Sequence, residues 1–209
     1  MNPPFTVSQF LEVFADYNTS VFPAQIIFYA VALFIVISAY LKKYSLFSML
    51  AASFFWLWMG AVYHIGFFSS INKPAFVFGA FFIVQGLLVL FYAFRKNISF
   101  AFKPDLYGIA GLLMILYALF VYPVIGHLAG HSYPQSPTLG LPCPTTIFTF
   151  GLFLWSDKKF PLTLLVIPFL WSIIGFTAAL NFGIKEDIGL LISGILSLIL
   201  IILKNRTQK

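Results

Sequence analysis

Residues 106–128 read LYGIAGLLMILYALFVYPVIGHL, an apolar stretch with no Asp, Glu, Lys or Arg, bounded by Lys103 and Asp105 before it and Gly130 after it. At ~1.5 Å per residue, a helix needs ~20 such residues to cross a hydrocarbon core about 30 Å thick. The stretch is therefore read as a membrane span. Similar runs occur at Val21–Leu41, Leu46–Phe68, Pro74–Phe94, Leu141–Trp155, Phe160–Phe182 and Ile188–Leu203. Leu141–Trp155 and Ile188–Leu203 are the two short ones, below the length of an upright crossing. With 61% hydrophobic and 9% charged residues among 209, the chain has too little polar surface for a water-soluble domain. The expected architecture is an all-α membrane protein of about seven transmembrane helices: an interfacial helix over residues 1–20, a transmembrane domain over 21–204 and a cytoplasmic tail over 205–209.

The charges orient this bundle. Lys and Arg accumulate on the cytoplasmic side of membrane proteins. With seven spans and the C-terminus inside, the inner loops hold Lys42, Lys43, Arg95, Lys96, Lys103, Lys158, Lys159, Lys204, Arg206 and Lys209, and the outer face only Lys73 and Lys185. One helix more or fewer would scatter the basic clusters over both faces, so the bias supports both the count and an N-terminus-out, C-terminus-in topology. The net charge of +6 thus has a topological origin, and no basic stripe beside aromatic platforms points to nucleic acid.

Ahead of the first span, Thr6 and Gln9 have capping-box spacing, and Val7, Phe10, Leu11, Phe14 and Tyr17 recur at helical intervals against Gln9, Glu12 and Asp16. This predicts a short amphipathic helix in the interface, acidic enough to fold over the outer mouth of the bundle. The segment up to Phe22 lacks the basic start and apolar run of a secretory signal. Trp56, Trp58 and Trp171 fall well inside spans, where an indole N–H needs a partner, so they are expected to face the bundle interior.

The chemically capable residues gather on the outer face. His64 lies in the outer third of the second span, and His127 and His131 stand four residues apart at the outer end of the fourth. Residues at i and i+4 share a helix face, so these two imidazoles converge if the helix continues to His131; Gly130 offers the alternative of a C-cap. Beyond a proline-rich loop from Ser132 to Pro142, expected to be ordered, Pro142-Cys143-Pro144-Thr145-Thr146 opens the shortened fifth span. A cysteine there is a soft ligand beside three borderline ones. His64, His127, His131 and Cys143 are the candidate metal ligands, with zinc or copper the ions that suit them. Tyr63, His64, Tyr133, Thr145, Asp16 and Glu186 are the expected lining of an outward pocket. Glu186 and Asp187 have a plainer reading as acids at the N-terminus of the last helix.

The single cysteine excludes an internal disulfide, and the chain has no Gly-rich phosphate loop, GxSxG or HExxH. Alkaline-ceramidase-like membrane hydrolases share the seven-span architecture, but no intramembrane aspartate of the kind they use stands in these spans. The opening Met1-Asn2-Pro3-Pro4-Phe5-Thr6-Val7, Tyr63-His64 followed by Phe67-Phe68, and Pro142-Cys143-Pro144-Thr145-Thr146 together resemble an uncharacterised bacterial family of small multispan membrane proteins. That resemblance implies a bacterial inner-membrane location and no particular activity. The leading expectation is a pocket that binds a small ligand or a transition metal for transport or sensing. A membrane-embedded metal-dependent hydrolase and a non-catalytic accessory protein are the alternatives. A pocket continuing through the bundle would favour transport, and a closed one binding or catalysis.

Overall fold

The computed structural model describes residues 5–95 and 98–208. Met1–Pro4, Lys96 and Lys209, which enter the resemblance, the interfacial segment or the charge count, lie outside the described residues. Each of the seven apolar runs becomes a helix, and the amphipathic segment adds an eighth. In chain order these are α1 (Val7–Val21), α2 (Ala24–Tyr40), α3 (Ser45–Ser70), α4 (Ala75–Arg95), α5 (Leu106–Leu128), α6 (Pro142–Leu154), α7 (Thr163–Phe182) and α8 (Ile188–Thr207). The described residues contain isolated β-bridges and no strand. Five helices are long and apolar enough to cross a membrane, and α1 with α2, bent by 84°, would make a sixth. This is the architecture of a multi-pass membrane protein.

The loops divide between two ends. At one, the connection after α4 meets that after α6: Ala101 N donates to Trp155 O at 2.8 Å and Asp157 N to Ser99 O at 2.8 Å. Phe102 N reaches Ala39 O at the end of α2, and the Lys204 amine near the end of α8 donates to the carbonyls of Leu154 and Ser156. Asn205 bonds Phe160 in both directions at 2.8 Å. The helix runs on to Thr207, and residues 205–207 of the expected cytoplasmic tail continue it. At the other end α1 packs over the α3–α4 and α5–α6 connections. Thr6 caps it in the anticipated box, with Gln9 N to Thr6 Oγ1 at 3.3 Å and Thr6 N to Gln9 Oε1 at 2.9 Å.

The centre is α6. Although only 13 residues long, it is buried along its length except at Cys143, packed by α5, α7 and α8. It meets α3 where Trp56 Nε1 donates to Thr149 Oγ1 at 3.3 Å. At ~20 Å it is shorter than the helices packed around it, and the loop before it folds back onto its first turn. Its polar side chains are satisfied internally: Thr149 Oγ1 donates to Thr145 O, and Thr145 Oγ1 accepts from Gly140 N, both at 2.8 Å. Gly151 and Gly111 let α6 and α5 touch, since a Cβ on Gly151 would stand 2.6 Å from Gly111 O and one on Gly111 2.7 Å from Gly151 O.

Candidate functional site

The loop between α5 and α6 is held by α1. Asn18 donates its side-chain amide to Pro134 O at 2.7 Å and Ser136 O at 2.8 Å, Gln25 supports Asn18 O at 2.7 Å, and Tyr17 donates to Gly140 O at 3.0 Å. The segment from Ser132 to Pro142 is thus pinned at several backbone carbonyls. Asn18 and Gln25 were not singled out in the sequence, and only their polarity between apolar neighbours marks them.

Beneath α1 lies a half-open cavity of about 260 Å³. Phe10 and Phe14 form its roof, Phe68 and Phe78 one wall, Phe182 and Ile174 another, and Cys143, Gly175 and Trp171 its inner part; Asn72 and Asn181 also border it. The rings interlock, with centroids 4.7 Å apart for Phe10 and Phe14, 5.0 Å for Phe10 and Phe182 and 5.8 Å for Tyr63 and Phe68. The lining is mainly aromatic and aliphatic, so the pocket is more apolar than the sequence suggested.

Of the expected lining residues only Tyr63 borders this cavity. His64 is fully buried behind the wall, its ring 4.5 Å from that of Phe82 and 5.0 Å from that of Trp171, and neither ring nitrogen has a hydrogen-bond partner. Thr145 belongs to the α6 start, Tyr133 is exposed with its hydroxyl 3.4 Å from Asn18 O, and Asp16 is exposed on the outer side of α1. Glu186 sits in a second, adjoining cluster.

That cluster is built from buried acids. Glu186 and Asp187 are 0% and 2% exposed. Tyr122 donates to Asp187 Oδ1 at 2.5 Å, Tyr117 donates to Glu186 O at 2.8 Å, and His131 Nδ1 lies 3.4 Å from Glu186 Oε1. Glu186 Oε2 has no hydrogen-bond partner. Gly126 makes the room, because a Cβ there would stand 2.9 Å from Glu186 Oε1. Asp187 precedes α8 but makes no side-chain cap to it, and its carboxyl instead bonds Tyr122 and the Cys143 thiol. Cys143 is thereby the link between the acid cluster and the cavity.

The proposed metal set does not assemble. Helix α5 stops at Leu128 in a Schellman turn: Gly130 has φ +94°, His131 N donates to Gly126 O at 2.8 Å and Gly130 N to His127 O at 3.0 Å. The positive φ at Gly130 ends the helix before His131, so the two imidazoles do not share a helix face. His127 is exposed and 2.9 Å from Ser132 Oγ, His131 turns inward to Glu186, His64 lies among aromatic rings and Cys143 faces Asp187. Among the described residues no group of three or more His, Cys, Asp or Glu is placed to hold a metal ion. A family of unknown function, DUF6064, matches residues 7–209, nearly the whole chain. The chain belongs to DUF6064. Neither curated proteins nor solved structures give a match to it. For this DUF6064 chain, the functional reading rests on the cavity and the acid cluster beside it.

Proposed function

We propose that this DUF6064 protein is a bacterial inner-membrane protein of seven crossings, with its basic end in the cytoplasm, that binds a small, mostly apolar ligand at its outward end. The carrying observation is the cavity of about 260 Å³ roofed by α1, because concave, largely apolar sites with a few polar groups are where small molecules bind. Of the ten described basic residues, eight fall in the connections and helix ends of the opposite end, which supports the orientation. The cavity touches α6 only at Pro142 and Cys143, and Ile147, Phe148 and Phe150 further along that helix are each at most 1% exposed. Packing of this kind beyond the cavity favours sensing or carrying a ligand over passage through the bundle.

Cys143 is the chain's one cysteine and borders the cavity, so its alkylation reports occupancy at a unique site. Purified protein in detergent should react more slowly with N-ethylmaleimide when a small apolar molecule such as 2-methyl-1-nonene is added. An unchanged rate across the soluble range would overturn the ligand-pocket reading.

A further inference from the structure

The cavity beneath α1 adjoins a depression on the flank of the bundle. A groove of about 60 Å³ lies between α4 and α7, with Phe82 and Trp171 buried at its base and Phe81 and Leu170 exposed at its edges. It shares Phe78, Trp171 and Ile174 with the cavity, so no more than one side chain separates the two. Nearer the basic end the same helices are tied together: Gln85 Nε2 donates to Leu164 O at 2.9 Å, and the Tyr92 and Thr163 hydroxyls are bonded at 2.9 Å. The groove lies outward of both ties. From above, the cavity is covered by Phe10 and Phe14 of α1, both buried, whereas Ile174 and Thr177 in its lining are exposed on α7. The open side of the cavity therefore faces the bilayer. One polar group in the lining is unused. Asn72 is 8% exposed, and among the described residues only its backbone is bonded, its N–H to Phe68 O at 3.1 Å and its carbonyl to Ala75 N–H at 2.9 Å. Its side-chain amide has no partner, yet it is not sealed inside the protein as the His64 ring nitrogens are. Such an amide offers both a donor and an acceptor at the border of an apolar cavity.

We infer that the cavity and groove together seat an acyl chain of a membrane lipid, which enters sideways between α4 and α7 and places its ester region at Asn72. This rests on the reading of the cavity as a ligand site and names its occupant. The groove is continuous with the face of the bundle that lipid covers, so acyl chains are already at its edge. A chain in the bilayer needs only a shift of Phe78 or Ile174 to enter, whereas a water-borne ligand would have to displace α1 and the loop contacts that hold it. Length agrees: between Ile167 in the groove and Asn181 at the cavity border, α7 rises about 21 Å at ~1.5 Å per residue, enough to lead from headgroup level to the middle of a ~30 Å core. Polarity follows the same order. Asn72 and Asn181 stand at the outer limit of the path and the groove below is lined by apolar side chains, as a lipid is polar at its ester region and hydrocarbon beneath.

The test places the full chain in nanodiscs of a diester phosphatidylcholine with a photoactivatable diazirine midway along one acyl chain, and locates the cross-links by peptide mass spectrometry. Labelling should reach Cys143 and Trp171 in the cavity as well as Phe120, which is 60% exposed on α5 and reports ordinary boundary lipid. Ile174→Trp, which narrows the passage from the groove, should remove the cavity labelling and leave that of Phe120. Asn72→Leu should lower cavity labelling about fivefold, the worth of one ordinary hydrogen bond. Cross-links on Phe120 with none in the cavity overturn the lipid inference. The pocket itself then stands if 2-methyl-1-nonene still slows Cys143 alkylation in detergent, and falls if it does not. Cavity labelling unchanged by Ile174→Trp overturns the sideways entrance, and labelling unchanged by Asn72→Leu overturns the seat of the ester. Should either variant not fold, wild type decides both points. Cys143 should react faster with an N-alkyl maleimide dissolved in the bilayer than with a sulfonated one confined to water, and a diether analogue of the probe should label the cavity less than the diester. No difference, or the reverse, in either comparison overturns that part of the inference.

Discussion

Trp58 donates its indole N–H to the Tyr17 hydroxyl at 2.7 Å, and that hydroxyl in turn donates to Gly140 O at 3.0 Å. One phenol thus joins α1, α3 and the loop that leads into the central helix. Tyr17→Phe would strand a half-buried indole donor and a buried carbonyl together. We expect a stability loss of ~1–3 kcal/mol and faster proteolysis between Ser132 and Leu141, read by thermal melting and by limited digestion of the detergent-purified protein. A variant that melts with wild type and stays resistant would show that the bond does not hold the roof.

The two histidines that stand four apart should behave differently. His127 is exposed beside Ser132, so His127→Ala should change stability by less than about 0.5 kcal/mol. His131→Ala removes the side-chain contact to Glu186 Oε1 and should cost roughly 1–3 kcal/mol. Equal losses for the two, measured by thermal denaturation, would contradict the Schellman turn that separates them.

Much of this was legible in the sequence. The seven apolar runs, the capping box at Thr6 and Gln9 and the grouping of basic loops at one end follow from hydrophobic transfer and local hydrogen bonding, which act over short stretches. Of the three tryptophans expected to face inward, Trp56 and Trp171 are buried and Trp58 is half-buried, and the indoles of Trp56 and Trp58 find the partners an N–H needs in Thr149 and Tyr17. The candidate site was less legible because its residues meet through packing. Nothing local at Asp187 distinguishes a helix cap from a carboxyl aimed at Tyr122 and Cys143. Gly130 carried both readings of the histidine pair, and its positive φ decided for the C-cap. Thr145, Thr146 and Thr149 in the first half of α6 were the available sign of a helix shielded from lipid, since clustered polar side chains suit a buried axis better than an outer wall.

Lys204 tests the other end of that axis. Its amine is buried and donates to Leu154 O and Ser156 O, satisfying carbonyls at the C-terminus of α6 where a cation also suits the helix dipole. Lys204→Met should lower stability by ~1–3 kcal/mol, and Lys204→Arg should recover part of the loss. Denaturation by a graded detergent series would measure both, and a neutral Lys204→Met would remove the cap from the account.

Close contact at Gly151 predicts intolerance of one methyl group. The Cβ of Gly151→Ala would meet Gly111 O at 2.6 Å, a methyl against a backbone carbonyl that cannot swing away, so α5 and α6 must separate. The expected cost is about 1–3 kcal/mol, visible as a lower melting temperature or lower yield of folded protein. A wild-type melting temperature would mean the helices can spread freely there.

Orientation is checked directly. A reporter after Lys209 should read as cytoplasmic and one ahead of Met1 as external. Both on one side would sink the seven-crossing topology.

The enclosure of α6 also governs how the protein can be made. During synthesis α6 emerges before α7 and α8, yet α8 supplies one of the faces that bury it and the lysine that finishes its C-terminus. A 13-residue helix with three threonines is a weak candidate for entering lipid alone. It has to be sheltered by α5 until α8 arrives, so the bundle closes only after α8 has been made. A chain released before Ile188 would carry every cavity residue and still leave its axis open on the α8 side, a nascent protein with its ligand site written and its core unsealed.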